Sequence, residues 1–401
     1  MRIIINECKK ILDIRIILLL CMFSILYYMT FTQIYRYPTG GQVTNTKYDI
    51  PFTAELVKEW GPKWKVKDEK QYQEKHQELE RGFAKIIKQD QELSKRGIVD
   101  YEIFNKKYEE LGQKTALSKQ EKELDKILEN YVFYNDKTSK IFLDIQALEH
   151  IREFQGSEYG VSDKKYKELK ADGFFDGTKL YQKAIEKKVK RDYISLVHEG
   201  VFYILQEDMV TIGGLIMICF FALIIPYQLK QRLRQVIPIL ATTKTGRRIY
   251  QIQLIASALA ALFVGILQMA VYGIIWHLKG LSVFWRCESW GIASNSYWCD
   301  KLSFGTYMLL YMALILLFAI ASIVIIDFIG RTIGNYMGAV AVSIPVCGVM
   351  MFLMRKIYYM LFLITNDQVL AYWELYALAT WLIVMLLFYK IRSKRWKKVD
   401  L

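Results

Sequence analysis

The sequence is short of proline. The whole chain of 401 residues has six, and none falls between Pro62 and Pro226. A stretch that long without the strongest helix breaker favours helix. Nucleotide-binding and hydrolytic signatures are also missing. No Gly-Lys pair occurs anywhere, so this chain cannot bind ATP through a P-loop, and HExxH, GxSxG and GxGxxG are absent. The four histidines (His76, His150, His198, His277) stand far apart in sequence. The six cysteines (Cys8, Cys21, Cys219, Cys287, Cys299, Cys347) form no CxxC, so a structural zinc site has no support. No catalytic residue, metal or cofactor is expected on this chain.

What is present is oil and charge, unevenly placed. Hydrophobic residues make up 53% of the chain and mean hydropathy is +0.14, which averages two compositions. A transmembrane helix needs about 20 mostly apolar residues. Six segments qualify, at about 16–35, 209–229, 252–277, 304–326, 336–354 and 372–391. The expected fold class is an all-α membrane protein with six transmembrane helices and a mainly helical extracellular domain between spans one and two. Residues 1–35 hold an N-terminal helix and the first span, 36–207 the extracellular domain, and 208–401 the membrane domain with a basic tail. The first span reads as a retained anchor. No A-x-A cleavage site follows it, and Leu20 is the wrong residue before a lipobox cysteine at Cys21.

Net charge is +14, and the membrane half carries most of it: residues 208–401 hold 18 basic and 7 acidic side chains, residues 36–207 hold 32 and 31. A nearly neutral polar domain is a poor partner for nucleic acid. Basic loops at the cytoplasmic ends of spans account for the excess better. Segment 230–248 has Lys230, Arg232, Arg234, Lys244, Arg247 and Arg248 with no acid, and the tail has Lys390, Arg392, Lys394, Arg395, Lys397 and Lys398. Both, and the N-terminus with Arg2, Lys9, Lys10 and Arg15, are expected in the cytoplasm of a cell-membrane protein. Six crossings agree with that, and residues 36–207 then lie outside. The spans have almost no ionisable interior residues; Asp208, Asp327 and Arg331 sit near their ends. That disfavours an ion-driven pump. Span five is ambiguous at Arg355 and Lys356. It either ends near Met354 before a short outer helix or re-entrant hairpin, or continues as one long kinked helix.

In the polar domain, apolar residues recur at helical spacing: Leu79, Phe83, Ile86 and Ile87; Leu124, Ile127 and Leu128; Ile141, Ile145, Leu148 and Ile151. Four to six helices are expected, the last (about 178–205) running almost directly into span two. Interleaved Lys and Glu read as solvated helix faces or as a binding surface. Tyr131, Phe133, Tyr134, Phe174 and Phe175 read as core or as contacts for an amphiphilic ligand. Cys287 and Cys299 flank a loop expected to face outside. They either form a disulfide, a contribution of about 3 kcal/mol, or remain two thiols.

This layout resembles permeases of the ABC-2 type exporters, membrane subunits of bacterial ATP-driven transporters. MRIIINECKKIL resembles that family's amphipathic helix before span one, with Ile3, Ile4, Ile5 and Leu12 as apolar contacts. Residues 230–253, KQRLRQVIPILATTKTGRRIYQIQ, resemble its cytoplasmic coupling helix through Ile237, Ile239, Leu240, Thr243, Gly246, Arg247 and Arg248. Residues 355–368 stand where the family has an outer hairpin. The sequence departs from the pattern at Gln231, Arg232 and Gln235, where an acidic residue is common, and at Gln251 or Gln253, where a lysine is. The resemblance covers the membrane half. It implies a separate P-loop ATPase that binds ATP and Mg, a second permease chain of the same or a different kind, contact with membrane lipids, and an ATPase-coupling segment carried by Arg234, Ile237, Leu240, Arg247 and Arg248. The implied function is export of an amphiphilic cargo: an antimicrobial peptide, a lipid or an envelope component. Alternatives are an ABC-coupled subunit doing mechanical work on the outer domain, and a receptor with no ATPase.

Overall fold

A computed structural model describes residues 2–37, 49–65, 68–158, 167, 170–171, 173, 176–189, 193–233, 249–289, 301–364, 367 and 369–399. Helix α1 (Arg2–Ile11) precedes the first long apolar helix, α2 (Ile14–Phe31). The inserted domain follows as α3 (Gln33–Arg36), α4 (Asp49–Trp60), β1 (Lys63–Lys65), α5 (Glu69–Ile87), α6 (Gln91–Lys95), α7 (Tyr101–Gly112), α8 (Lys119–Glu129), α9 (Asp136–Glu158), α10 (Lys179–Val189) and β2 (Tyr193–Ser195). The chain returns through α11 (Glu199–Leu233), α12 (Ile249–Leu278), α13 (Phe304–Thr332), α14 (Tyr336–Tyr358) and α15 (Trp373–Val399). Six of these, α2 and α11 to α15, are long and apolar enough to cross a membrane, the architecture of a multi-pass membrane protein.

Contacts at both ends fix the alternation of the spans. At one end Arg232 on α11 donates to the carbonyl of Arg331 on α13 (3.0 Å), and Tyr250 at the start of α12 stacks on Tyr389 near the end of α15. At the other, the Asp208 carboxylate on α11 accepts from the backbone N–H groups of Gln33 (2.5 Å) and Ile34 (2.9 Å), capping α3, and Trp276 stacks on Phe304. Both termini therefore share one end of the bundle, and the inserted domain stands at the opposite end. Helix α11 is the axis, packed against α2, α12, α13 and α14. A Cβ at Gly213 would lie 2.9 Å from a methyl of Ile315 on α13, and one at Gly214 2.7 Å from the Met351 methyl on α14, so a larger residue here would force those side chains aside.

The spans run past their apolar cores. Helix α11 starts at Glu199, well before 209, and α13 continues to Thr332, because buried polar partners at each end let the helix carry non-apolar residues inward. The expected helix at 178–205 is corrected: it breaks between α10 and α11, where β2 pairs antiparallel with β1 (Trp64 opposite Ile194). Three-residue strands leave no periodicity to detect, but Lys63, Trp64 and Lys65 alternate exposed, buried, exposed. Span five continues through Arg355 and Lys356 to Tyr358; it does not end at Met354. Residues 359–362 then form turns, not a helix, with Met360 and Phe362 at positive φ. Glu374 pins them by accepting from the Phe362 N–H (2.9 Å), as does Tyr307, which donates to the Leu361 carbonyl (3.0 Å).

The inserted domain has two cores. Phe83, Ile87, Phe104, Leu128, Phe142 and Ile145 belong to a distal core of its own, while Trp64, Tyr72, Leu148 and Ile151 join the core of the membrane bundle. Helices α5 and α9 pack along each other and pass through both. Local signals set the distal helices: Asp90 caps α6, Asp100 caps α7, and Ser118 with Glu121 forms a reciprocal capping box on α8. A π-helical turn, Asn130–Tyr134, leads into α9. It draws Tyr131 in to Asp90 (2.5 Å) and leaves Phe133 and Tyr134 exposed. Phe174 and Phe175 lie outside the described residues.

The domain is tied to the bundle through Glu288, in the connection between α12 and α13. Its carboxylate accepts from Lys63 (2.7 Å) and Tyr193 (2.9 Å), and its carbonyl from Ser195 (3.0 Å). Helix α4 also packs on the 3-10 turn Leu281–Arg286 of that connection.

One buried acid in the domain gives a pH prediction. Asp144 on α9 is 4% exposed, and its Oδ1 has no hydrogen-bond partner among the described residues. Burial pushes its carboxyl up to about 7; Lys140 and Lys75 oppose the rise, and Glu55 adds to it. The folded state therefore holds a proton that the unfolded chain has released above about pH 4. Stability conferred by that proton falls as pH rises from about 4 to 7 and is flat on either side. Asp144→Asn is expected to raise the melting temperature at pH 8 and to remove most of this slope. Melting curves of both proteins at pH 5, 6, 7 and 8 check it, and equal slopes would rule the assignment out.

Candidate functional site

The termini end of the bundle holds a buried polar network where an apolar core would be expected. Asp327 on α13 is fully buried, and Arg331, one turn on, is 7% exposed. Arg331 Nε donates to Asp327 Oδ2 (2.7 Å), and a second guanidinium nitrogen donates to Gln253 Oε1 on α12 (2.8 Å). Gln228 Nε2 on α11 donates to Asp327 Oδ1 (2.5 Å). The guanidinium lies over the Tyr250 ring, 5.0 Å from its centroid. Three helices are thus locked together by one ion pair and two amides. Charge-assisted hydrogen bonds at low dielectric make such a joint stiff, and costly to open.

The amphipathic helix α1 is fastened to the same place. Glu7 is buried and accepts a hydrogen bond from Tyr227, the neighbour of Gln228, while Lys10 pairs with it from the exposed side (2.6 Å). Cys8 Sγ donates to the Ala256 carbonyl on α12 (3.5 Å). Of the apolar residues expected on this helix, Ile3 and Ile5 are exposed, the side open to a bilayer, and the stripe packed on the protein is Ile4, Glu7, Cys8 and Ile11. A charged residue on that stripe looks like the polar face in sequence, and only its tyrosine partner reveals otherwise.

Arg234, Ile237, Leu240, Arg247 and Arg248 lie outside the described residues. What the structure supplies is their setting. The segment leaves α11 at Leu233, five residues after Gln228, and rejoins α12 at Ile249, four residues before Gln253. Both of its anchors are therefore within about one turn of the locked joint. Gln228 carried no signal in sequence, and Gln253 only that of a departure from the family's lysine. Asp327 and Arg331 carried one, the i,i+4 spacing of an acid and a base on one helix. Of the cysteine pair, Cys299 is outside the described residues. Cys287 is fully buried, its thiol directed at the Leu196 carbonyl (3.6 Å) and pushed by burial up to about 12.

Between α11 and α14, in the half nearer the termini, a cavity of about 430 Å³ is lined by Phe221, Ile225, Pro226, Ile344, Cys347 and Met351 among others. Among the described residues no charged side chain lines it. Its size suits a drug-sized or single-chain apolar guest. No protein-family model, curated protein or solved structure matches the chain.

Proposed function

We propose that the chain is the membrane-spanning permease subunit of an ATP-driven exporter of the ABC-2 kind, working with a separate P-loop ATPase that binds ATP and Mg and with a second permease chain, for an amphiphilic cargo. The observation that carries this reading is the locked joint at the root of segment 230–248. A push on that segment reaches α11 and α12 within a turn, and the Asp327–Arg331 pair passes it to α13 without slack. Helix α1, fastened through Glu7, moves with them. An amphipathic helix in the interface and a stiff three-helix root are what an outside motor needs in order to move a bundle. The uncharged cavity beside α11 suits an amphiphile better than an ion. In this reading the basic termini end is cytoplasmic and residues 36–207 are extracellular.

A second reading has one specific observation in its favour. Glu288 and α4 fasten the inserted domain to the connection between α12 and α13, so motion of those spans would pass into the domain. The chain would then do mechanical work outside the membrane without moving cargo.

The test is mild-detergent purification of the tagged chain from its native membrane, with identification of its stoichiometric partners. A P-loop ATPase is expected at a fixed ratio. A preparation that contains none, reproduced after crosslinking, leaves a receptor or adhesion role and ends the exporter proposal. ATP hydrolysis with no cargo moved in reconstituted vesicles selects the mechanical reading.

A further inference from the structure

A second groove lies on another face of the bundle. It has a volume of about 460 Å³ and runs between α12, α13 and α15, walled by Leu254, Ile255, Ala321, Val324, Leu382 and Leu386. Ile255 and Leu386 remain about half exposed, so it opens sideways, toward the bilayer. Along α15 it extends from Leu382 to Tyr389, about two turns or ~10 Å. Gln251 and Tyr389 close its end nearest the termini.

Charge changes abruptly at that mouth. The groove stripe of α15 passes from Leu386 and Tyr389 to Lys390 and Arg392, three or four residues on, and then to Lys394. Lys390 and Lys394 are exposed, and Arg392 sits over the Phe328 ring of α13, 4.3 Å from its centroid. Beyond Glu374, α15 has no carboxylate, and Asp327, the acid of α13 at this end, is committed to Arg331. Among the described residues an apolar trough thus ends in a cationic rim, with Asp327 buried behind Arg392, at the depth where a headgroup would lie. A transmembrane partner helix would need an apolar contact of about 30 Å, far longer than this trough. A free anion would leave the trough unused.

We propose that this groove holds one anionic phospholipid, with an acyl chain between α12, α13 and α15 and its phosphate at Lys390, Arg392 and Lys394. The inference does not rest on the exporter reading, since a bound lipid would brace these three spans in a receptor equally well. Binding only the folded state, the lipid would raise the melting temperature.

The experiment uses the full chain in neutral detergent, with melting followed on adding phosphatidylglycerol, phosphatidylcholine or soluble glycerol phosphate, and bound lipid counted by native mass spectrometry. Phosphatidylglycerol is expected to raise the midpoint several degrees more than phosphatidylcholine and to be retained at one molecule per chain. Glycerol phosphate should have no effect. Ala321→Phe, which fills the trough, and the triple change K390Q/R392Q/K394Q should each remove the difference. Leu386→Trp, at an exposed position, serves if Ala321→Phe lowers the lipid-free midpoint. Equal shifts from the two lipids, a shift from glycerol phosphate, or a phosphatidylglycerol effect that survives filling of the trough would each overturn the proposal.

Discussion

Asp327→Ala is expected to be the most damaging single substitution in the membrane half. It leaves the Arg331 guanidinium, 2% exposed as a side chain, inside the bundle without its carboxylate. Removing one partner of a buried ion pair typically costs about 3–5 kcal/mol, because the remaining charge keeps its desolvation penalty. Gln228 loses its acceptor in the same step. The variant should reach the membrane in low yield and melt well below the parent in detergent. Replacing both members, as D327L/R331M, removes the stranded charge along with the attraction and should recover part of the loss; Gln228, left without its Asp327 acceptor, and Gln253, left without the Arg331 donor, each keep a residual cost of about 1–3 kcal/mol. Melting of the parent, D327L, R331M and D327L/R331M as a double-mutant cycle is the measurement. A single variant as stable as the parent would mean that the pair does not join α11, α12 and α13.

Ile237→Asp and Leu240→Asp carry the second large effect, on function and not on folding. If segment 230–248 docks on an ATPase through these apolar side chains, a carboxylate there must be desolvated without a partner. Truncating or charging a central contact of this kind commonly weakens an interface about 100-fold or more. Membrane insertion and melting should be unchanged, while ATPase co-purification and stimulated hydrolysis are lost. If both variants bind the ATPase and hydrolyse ATP as the parent does, the coupling role belongs elsewhere on the chain.

The span count was legible because an apolar run of about 20 residues matches the thickness of a bilayer and is rare in a water-soluble fold. The ends of the spans were less so. Helix α11 starts at Glu199 because Asp208 and Gln206 are buried among partners, and a hydropathy window sees only their polarity. The stretches around Phe83, Leu128 and Ile145 proclaimed helices through their spacing, and all three side chains are buried in the distal core. Their spacing could not say that this core is separate from the one containing Leu148 and Ile151, since a single helix, α9, supplies both. The β-ribbon was hidden by its brevity. The joint at the root of segment 230–248 was hidden by chemistry: Gln228, Gln253 and Glu7 are ordinary surface residues until a partner on another helix is known. Asp327 and Arg331 were noticed, as polar residues near the ends of spans, but their pairing with α11 and α12 is a tertiary fact.

The passage of α5 and α9 through both cores has a geometric consequence. Helix α5 has 19 residues and so measures about 28 Å. Its near end shares the core of the bundle, and its far end carries the distal lobe with the exposed Phe133 and Tyr134. A rod held that way is a lever with a short and a long arm. Tilting its base by about 10°, an adjustment of one or two ångströms where Tyr72 and Trp64 pack, would sweep the lobe through about 5 Å at the length just given. Rearrangements too small to notice among the spans would be plain at the tip, so a pair of spectroscopic labels belongs there.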